Sequence, residues 1–331
     1  MPAQRMTSLR RPCLENIDLA ESLGACSGCG RGSMIKLRYN GLLLCKRCFI
    51  SFFERRVRRT IGEQRFVEAG DRIVVALSGG KDSVTVLHLL DKLNRLHGNN
   101  IELVAISIDQ GIRGVDEVNL KNAREITRVA GIEHHVFSFK DELGHTVDEL
   151  ASLRPGLCNC GVFRRQILNK KARQLGASKL ATGHNLDDEV ESAIMNFVTG
   201  NLVRIARGDG LVSSEKFVRR IKPLRRSPEE EVALYAHLVL PQMVFAPECP
   251  YRGRVIRRNV KRIVDELEKH HPGIRYQILE SSERLGEVLR KEVNLPVTLS
   301  ECRICGEPSS SEVCNACQLR EQIEGLPAVN A

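Results

Sequence analysis

The 331-residue sequence contains no tryptophan, and its aromatic residues amount to only 4%. This scarcity argues against a single-strand nucleic-acid binder that stacks bases on aromatic side chains. No apolar run approaches the ~20 residues that a membrane-spanning helix needs. The N-terminal stretch MPAQRMTSLRRPCLEN has charges but no apolar segment behind them, so we expect no secretory signal peptide. These absences favour a soluble, cytoplasmic globular protein.

The formal net charge is +9, and the basic residues are unevenly distributed. Residues 46–65 contain seven Lys or Arg against two acids, residues 217–226 contain five against none, and residues 252–262 contain six against none. Any one of these basic segments could be a solvated helix face. Three together favour a polyanionic partner, most simply a nucleic acid.

Twelve cysteines without a secretory signal indicate metal binding or catalysis rather than a disulfide framework. Eight of them form two groups near the ends of the chain: Cys26, Cys29, Cys45 and Cys48, and Cys302, Cys305, Cys314 and Cys317. Two Cys-x-x-Cys turns that supply four thiolates are typical of a zinc ribbon, so we expect two Zn²⁺ ions. The alternative is a small core of reduced thiols, but a flank of about 25 residues lacks the core to fold without a metal.

Between the cysteine groups, apolar runs alternate with helical patterns. The runs lie at residues 73–77, 101–109, 134–139 and 178–185, and the helical patterns at 83–96, 115–129 and 162–175. This alternation predicts an α/β fold in which helices cover both faces of a parallel sheet. Ligands of such sheets bind beyond the carboxyl ends of the strands. Residues 78–83, 109–111 and 183–185 follow strands, so we expect them to converge on one crevice.

The chain becomes basic and helical after residue 200. We expect Ser227 to be the N-cap of a helix, with Pro228 at its first position and acidic residues in its first turn. A further helical segment covers residues 254–270 and carries most of the third basic segment.

The string SGGKDS at residues 78–83 lies between a predicted strand and a predicted helix. Gly79 and Gly80 allow backbone N–H groups to approach a phosphate, and the helix N-terminus adds donors and partial positive charge. Lys81 supplies a point charge, and Asp82 is placed to hold a metal ion. The string is shorter than the Gly-x-x-x-x-Gly-Lys-Ser/Thr loop. It predicts a compact anion loop, with a plain tight turn as the alternative.

SGGKDS after an apolar strand resembles the pyrophosphate loop of the PP-loop, or N-type, ATP pyrophosphatases, and ATGHNLDDE at residues 181–189 resembles their second nucleotide motif. These enzymes cleave ATP between the α- and β-phosphates and adenylate an acceptor. Together with the ribbons, CGVFRR, KPLRRSPEEEVALYA and ECPY make residues 26–320 similar to the tRNA 2-thiouridine synthetases of the TtuA type and their eukaryotic cytoplasmic counterparts. The resemblance implies a tRNA sulfurtransferase that adenylates the 2-carbonyl oxygen of a uridine and replaces it with sulfur.

The resemblance also implies a domain plan in which a PP-loop catalytic domain lies between two ribbons. The predicted parts are a tail (1–25), a zinc ribbon (26–50), a basic linker helix (51–70), the catalytic domain (71–270), a helical connector (271–300), a second zinc ribbon (301–320) and a tail (321–331).

The resemblance implies sites for ATP and Mg²⁺. The implied ATP-binding residues are Ala76, Ser78, Gly79, Gly80, Lys81, Asp82, Ser83, Asp109, Arg165, Gly183, His184 and Asn185. Asp82 would act through Mg²⁺. Asp188 matches a catalytic acid of the family, although a carboxylate in the first turn of a helix is otherwise a favourable cap. Arg164 matches a basic position of the family, with an exposed helix face as the alternative.

In the family, two cysteines ahead of a Gly-x-x-Arg-Arg string and one in ECPY hold a [4Fe-4S] cluster that leaves one iron open for sulfur. This pattern implies Cys158, Cys160 and Cys249 as ligands, which is consistent with thiolate ligation of such clusters. The usual spacing is Cys-x-x-Cys-Gly, whereas here Leu157 takes the first position and Cys158 comes one residue late. An extended segment would point both thiols the same way, with Cα atoms ~6.8 Å apart, whereas a helix would separate them.

Several readings stay open. Cys160 and Cys249 could instead be a nucleophile and resolving pair that carries a persulfide. The chain could also be a PP-loop ligase that transfers nitrogen, or an RNA-binding adaptor with an inactive nucleotide domain. The implied partners are tRNA and a ubiquitin-like thiocarboxylate sulfur donor protein, and no membrane. The modified uridine, in the T-loop or at the wobble position, stays open, as does the oligomeric state, a homodimer included.

Overall fold

The computed structural model describes residues 17–20, 23–98, 100–153, 160–208, 216–244, 246–251, 255–292 and 300–324. The strands are β1 (Ile17–Leu19), β2 (Ile35–Leu37), β3 (Leu43–Leu44), β4 (Arg72–Ala76), β5 (Glu102–Asp109), β6 (Glu133–Ser138), β7 (Lys179–Ala181), β8 (Arg219–Ile221), β9 (Ser300–Glu301) and β10 (Pro308–Ser309).

The helices are α1 (Lys46–Glu63), α2 (Lys81–Leu96), α3 (Asp116–Ala130), α4 (Phe139–Leu143), α5 (Val147–Leu153), α6 (Cys160–Gln174), α7 (Leu186–Val198), α8 (Leu202–Arg207), α9 (Glu229–Val239), α10 (Val255–His270), α11 (Ile274–Glu292) and α12 (Asn315–Glu324). None of the helices in the described ranges is long and apolar enough to cross a bilayer.

A five-stranded parallel sheet forms the centre of the molecule, with the strand order β6-β5-β4-β7-β8. Strands β4 and β5 have buried centres, where Val74, Val75 and Ile106 have no accessible surface. Strands that are covered on both faces read as continuous apolar runs, as these two do. The predicted α/β fold is therefore confirmed. The carboxyl ends of β4, β5 and β7 lie side by side at one edge of the sheet.

The first cysteine group lies beside the strands of a small antiparallel sheet, β1-β2-β3, that continues directly into α1. The helix predicted over residues 51–70 spans Lys46–Glu63, so it begins inside the first ribbon. Its residues Phe49 and Phe53 are fully buried in the main core, where Phe53 stacks on Tyr235 of α9 with ring centroids 4.5 Å apart. The first ribbon therefore shares its hydrophobic core with the catalytic domain.

The second cysteine group lies at the hairpin β9–β10 and at the start of α12. Helix α12 packs against α6, and its residues Ala316 and Ile323 are buried in an apolar cluster with Phe139 and Phe163. Since α12 runs to Glu324, the tail predicted from residue 321 starts within a helix.

The prediction that Ser227 caps α9 is wrong. The carbonyl of Pro228 accepts the first helical hydrogen bond, from the N–H of Val232 at 3.1 Å, so Pro228 is the N-cap and the helix starts one residue later than expected. The capping acceptor comes from another helix, because Oδ2 of Asp187 accepts the N–H of Glu229 at 2.7 Å. The Ser227 hydroxyl is buried without a hydrogen-bond partner among the described residues.

Candidate active site

The glycine loop between β4 and α2 is shaped by two very close backbone approaches. Gly79 has φ +81°, and a Cβ there would lie 1.8 Å from the carbonyl oxygen of Asn119. A Cβ on Gly183, at the end of β7, would lie 2.8 Å from the backbone nitrogen of Ser83. Only glycine fits at either position. The chain thus brings the string at residues 78–83 against the end of the neighbouring strand, as the sequence predicts.

Two serines close this loop upon itself. The hydroxyls of Ser78 and Ser83 lie 3.0 Å apart, and Ser83 Oγ also donates to the carbonyl of Gly80 at 3.0 Å. Gly80 is the N-cap of α2 and provides no side-chain cap. The first N–H groups of a helix have no partner within the helix, so the start of α2 suits an anion such as a phosphate.

Asn185 connects the loop to the acid that the sequence predicts to be catalytic. Its Nδ2 donates to Oδ1 of Asp82 at 3.1 Å. It also caps α7, because its Oδ1 accepts the N–H of Asp188 while Oδ2 of Asp188 accepts the N–H of Asn185, both at 3.2 Å. Asp188 is therefore a capping residue and also a neighbour of the phosphate loop. Burial raises the pKa of Asp82, and the charge of Lys81 opposes this rise, so a bound cation would further favour the charged carboxylate.

Arg257 of α10 is a neighbour of Asp188 that the sequence did not single out as a site residue. Its Nη2 lies 3.3 Å from Oδ1 of Asp188, and its Nε donates to Oε2 of Glu191 at 2.6 Å. Part of the third basic segment therefore faces the site, where it balances acidic side chains of α7.

Asp109 is the last residue of β5, and His184 follows β7 by three residues. Oδ1 of Asp109 accepts the N–H of Gly111 at 2.9 Å, which holds the carboxylate in a turn. His184 Nδ1 lies 2.8 Å from Oγ1 of Thr182. Ala76 is the last residue of β4. These positions are at the predicted edge of the sheet, and their contact with a nucleoside stays a prediction.

Lys81 and Glu229 form the main charge cluster of the site. Nζ of Lys81 lies 2.9 Å from Oδ2 of Asp82 and 3.0 Å from Oε1 of Glu229, whose Oε2 lies 3.0 Å from Nζ of Lys261. Burial disfavours both charges, but the ion pairs outweigh it: they raise the pKa of Lys81 and lower that of Glu229 to about 2. From the sequence alone, Glu229 is only an acid in a first helical turn. No local pattern predicts its pairing with Lys81, because the two residues are 148 positions apart.

Asp187 holds Glu229 in place. One of its oxygens accepts the N–H of Glu229, and the other lies 2.9 Å from Nε of Arg275 on α11. Asp187 is buried, which raises its pKa against the opposing charge of Arg275. The start of α9 is thereby fixed by side chains from α7, α10 and α11.

Cys160 and Cys249 meet in the apolar cluster beside α6. Cys160 is the first residue of α6, and both cysteines pack against the apolar cluster that contains Phe163 and Ala316. Burial raises the pKa of Cys249, and the neighbouring Cys160 adds to the rise, while Arg164 opposes it. Two predicted sulfur-site cysteines are therefore brought together. Cys158, and with it the predicted extended geometry of the pair 158 and 160, lies outside the described residues.

The two arginines that follow these cysteines are exposed on α6. The charge of Arg164 acts on Cys249, so Arg164 lies close to the cysteine pair. Nη1 of Arg165 lies 3.7 Å from the position of a Cβ built on Gly161, so this side chain folds back over the first turn of α6. Their contact with phosphate stays a prediction.

Asn122 of α3 joins the phosphate loop to the segment that leads to Cys249. Its Nδ2 donates to the carbonyl of Gly79 at 3.1 Å and to that of Val244 at 2.7 Å, and its Oδ1 accepts the N–H of Val244 at 3.3 Å. Asn122 is buried. No sequence pattern pointed to this residue, since its partners are far from it along the chain.

In each predicted ribbon, the four sulfur atoms lie within 4.8 Å of one another. The N–H of Cys45 donates to Sγ of Cys26, and the N–H of Cys314 donates to Sγ of Cys302, both at 3.3 Å. Burial favours the neutral thiols, but these and neighbouring N–H donors outweigh it and lower the pKa of Cys26 and of Cys302 to about 6. Thiolates that converge in this way fit a tetrahedral zinc ion.

The first and second basic segments differ in what their side chains face. In the first, the arginines of α1 such as Arg47, Arg55 and Arg58 are exposed on the side opposite the buried Phe53. In the second, Arg225 is buried and lies 2.8 Å from Glu283. The first segment is thus a candidate nucleic-acid surface, whereas much of the second serves internal ion pairs.

Comparison with known proteins identifies the family of the chain. A family profile described as a PP-loop domain matches residues 51–244. The chain is 38% identical over 322 residues to the tRNA 2-thiolation protein NcsA of Haloferax volcanii, covering 91% of this chain and 99% of that protein. It is 35% identical to the cytoplasmic tRNA 2-thiolation protein 1 of Saccharomyces cerevisiae, covering 89% and 84% of the two chains.

A solved structure is also similar over most of its length. The U34-tRNA thiolase NcsA from Methanococcus maripaludis, determined with its [4Fe-4S] cluster, aligns with a TM-score of 0.77 at 36% identity and covers 90% of this chain and 96% of that one. Sequence and fold therefore agree over nearly the whole chain. The chain belongs to the PP-loop family, in the group of the tRNA 2-thiolation proteins.

Proposed function

We propose that the protein is an ATP-dependent tRNA sulfurtransferase that converts a uridine to 2-thiouridine. The observation that carries this proposal is the bridge through Asn122, which ties the phosphate loop at Gly79 to the segment leading to Cys249. A fold that places an anion loop and a pair of cysteines on one framework suits a reaction that needs both ATP and sulfur. The similarity to proteins named for tRNA 2-thiolation supplies the substrate class.

The first step would activate the base. The 2-carbonyl oxygen of the uridine attacks the α-phosphorus of ATP, the bond from that phosphorus to the bridging oxygen breaks, and pyrophosphate leaves. The loop N–H groups at the start of α2, together with Lys81, would neutralise the departing pyrophosphate. Asp82 would hold Mg²⁺, whose charge assists the same departure. Asp188 lies beside this loop and would contact the reacting groups.

The second step would exchange oxygen for sulfur. Oxide is a poor leaving group, but the adenylated oxygen departs as part of AMP when a sulfur nucleophile attacks the same carbon. Cys160 and Cys249 would hold the group that carries the sulfur nucleophile beside the base, with Arg164 next to them. A [4Fe-4S] cluster ligated by Cys158, Cys160 and Cys249 would supply bound sulfur when present, as implied by the cluster of the Methanococcus maripaludis thiolase.

The target uridine and the location are proposed from the names of the relatives, and the sulfur donor from the resemblance of the sequence. Since the solved relative is a U34-tRNA thiolase, we propose uridine 34, the wobble position, over the T-loop. We further propose that the sulfur comes from a ubiquitin-like thiocarboxylate protein, and that the enzyme works in the cytoplasm, as the name of the yeast relative states for that protein. The zinc ribbons would hold their surroundings in shape and take no part in the chemistry.

A second candidate function is thiolation without a cluster, because the two described thiols that meet are also a suitable persulfide and resolving pair. Iron decides between the two. Anaerobically purified protein with a bound cluster should be brown and contain about four iron atoms per chain, as a [4Fe-4S] cluster requires. A colourless, iron-free and fully active preparation would establish the persulfide route. Retained thiolation in an Asp82→Ala variant would remove the nucleotide site from either mechanism.

A further inference from the structure

The carboxylate of Asp82 has both of its oxygens engaged. Oδ1 accepts a hydrogen bond from Asn185 at 3.1 Å, and Oδ2 lies 2.9 Å from the ammonium group of Lys81. A magnesium ion at Asp82 needs one of these oxygens as a ligand. The ammonium group would compete for Oδ2, and its positive charge would repel the incoming cation at short range. Lys81 therefore has to move before Oδ2 of Asp82 can serve as a metal ligand.

Glu229 offers Lys81 a second acceptor on the other side. Its Oε1 already lies 3.0 Å from Nζ of Lys81, whose side chain is only 16% exposed. Moving this mostly buried ammonium group away from Asp82 would cost free energy if no other acceptor were within reach. Because Glu229 is in contact with Lys81 already, the ammonium group can leave Asp82 by a small rotation and remain paired.

The surroundings of Glu229 fix it for this task. Its backbone N–H is held by Asp187, whose other oxygen pairs with Arg275. Its second carboxylate oxygen pairs with Lys261 of α10. Glu229 is thus held by a backbone contact and a side-chain contact that do not involve Lys81. A carboxylate that is anchored in this way can receive the ammonium group without moving itself.

We propose that Glu229 is a positioning residue that takes Lys81 from Asp82 when magnesium and ATP bind. The inference rests on the proposed function, because it assigns magnesium to Asp82. Glu229 itself touches neither metal nor nucleotide in this scheme. It sets the magnesium requirement of nucleotide binding by holding Lys81 away from the metal ligand.

The test is the magnesium concentration that gives half-maximal binding of a non-hydrolysable ATP analogue to the full chain, measured by calorimetry. For Glu229→Gln, this concentration should rise by about tenfold, the scale of one lost charge-assisted hydrogen bond. In the double variant Lys81→Met, Glu229→Gln it should return to the wild-type value or below, because no lysine remains to occupy Asp82. A merely structural role of Glu229 would not be rescued by removal of Lys81.

Glu142 provides a matched control. It too lies between two lysines, with Oε1 2.5 Å from Lys171 and Oε2 3.7 Å from Lys170, and it lies on α4, outside the charge cluster. Glu142→Gln should leave the magnesium requirement unchanged. Lys81→Met alone should keep the requirement at or below the wild-type value, and this variant tests the scheme if Glu229→Gln fails to fold.

The outcomes separate this inference from the proposed function. If wild-type binding depends on magnesium and Asp82→Asn removes the dependence, but Glu229→Gln changes nothing, the role of Glu229 is wrong and the proposed function stands. A shift that persists in the double variant, or a higher requirement in Lys81→Met, also overturns the inference. If binding of the nucleotide analogue to the wild type does not depend on magnesium, both the inference and the metal role of Asp82 are overturned.

Discussion

The two ribbons each contain two Cys-x-x-Cys pairs, and each is joined to the catalytic domain by an Arg–Glu pair, but they lie beside different parts of the site. Arg56 of α1 lies 2.9 Å from Glu231 of α9, and both side chains are buried or nearly so, at 14% and 1% exposure. Arg173 of α6 pairs with Glu307 of the second ribbon, at 32% and 11% exposure. The first joint lies deep in the main core, and the second lies nearer the surface.

The neighbourhoods of the joints differ as well. Glu231 lies on the first turn of α9, next to the charge cluster around Glu229, so the first ribbon supports the phosphate side of the site. In the second ribbon, Cys314 packs into the same apolar cluster as Cys160 and Cys249, so that ribbon supports the sulfur side. One motif, used twice, therefore lies beside the phosphate loop in one case and beside the pair Cys160 and Cys249 in the other.

Loss of a zinc ligand should have the largest effect, because structural zinc contributes about 10–16 kcal/mol in isolated zinc-finger peptides. Cys29→Ser and Cys305→Ser should each lose one of two zinc ions per chain. Only Cys305→Ser should also lose iron, because the second ribbon borders Cys160 and Cys249. Metal analysis of anaerobically purified variants measures both. Equal iron contents in the two variants would contradict the division between the ribbons.

Removing the arginine of each Arg–Glu pair should show which pair contributes more to the free energy of unfolding. Arg56→Met leaves the buried carboxylate of Glu231 unpaired, which should lower the free energy of unfolding by about 3–5 kcal/mol. Arg173→Met should cost only about 1 kcal/mol, because that pair is partly exposed to solvent and screened by it. Denaturant titration of both variants provides the comparison. A larger loss for Arg173→Met would reverse the proposed order of the joints.

The smallest effect should concern RNA binding, which we assign to the exposed face of α1. Replacing Arg55 and Arg58 by alanine should weaken tRNA binding about tenfold and reduce the slope of log affinity against log salt by about two. Both side chains are exposed, so ATP binding should not change. Arg320→Ala, on α12 of the second ribbon, is the control and should leave tRNA affinity nearly unaltered. An unchanged salt slope in the double variant would place the RNA elsewhere.

The sequence was sufficient for those parts of the site that follow from local patterns. The apolar runs predicted the strands, and the glycine string predicted the anion loop whose Gly79 tolerates no side chain. Cysteine spacing predicted both four-sulfur clusters. Each of these signals lies within about 20 residues of chain, where hydrophobic periodicity, turn chemistry and ligand spacing determine the local structure directly.

Contacts between segments that are distant along the chain could not be predicted from the sequence. The sequence predicted Glu229 only as an acid that compensates the helix dipole in the first turn of α9. The ion-pair partners of Glu229, Lys81 and Lys261, come from other helices. Ser227 had the composition of an N-cap, yet Asp187 from α7 supplies the acceptor. The second basic segment suggested an RNA surface, whereas Arg225 is buried in ion pairs. Tertiary packing decides such pairings, and no local pattern encodes it.

The most direct test of the central claim is nucleoside mass spectrometry of tRNA treated with anaerobically reconstituted protein, sulfide and magnesium ATP. We predict that the wild type forms 2-thiouridine at position 34 and releases one AMP and one pyrophosphate for each sulfur inserted. Cys249→Ala should still release pyrophosphate in a tRNA-dependent manner but form no 2-thiouridine. Full thiolation by Cys249→Ala, or thiolation by the wild type without ATP, would contradict the account.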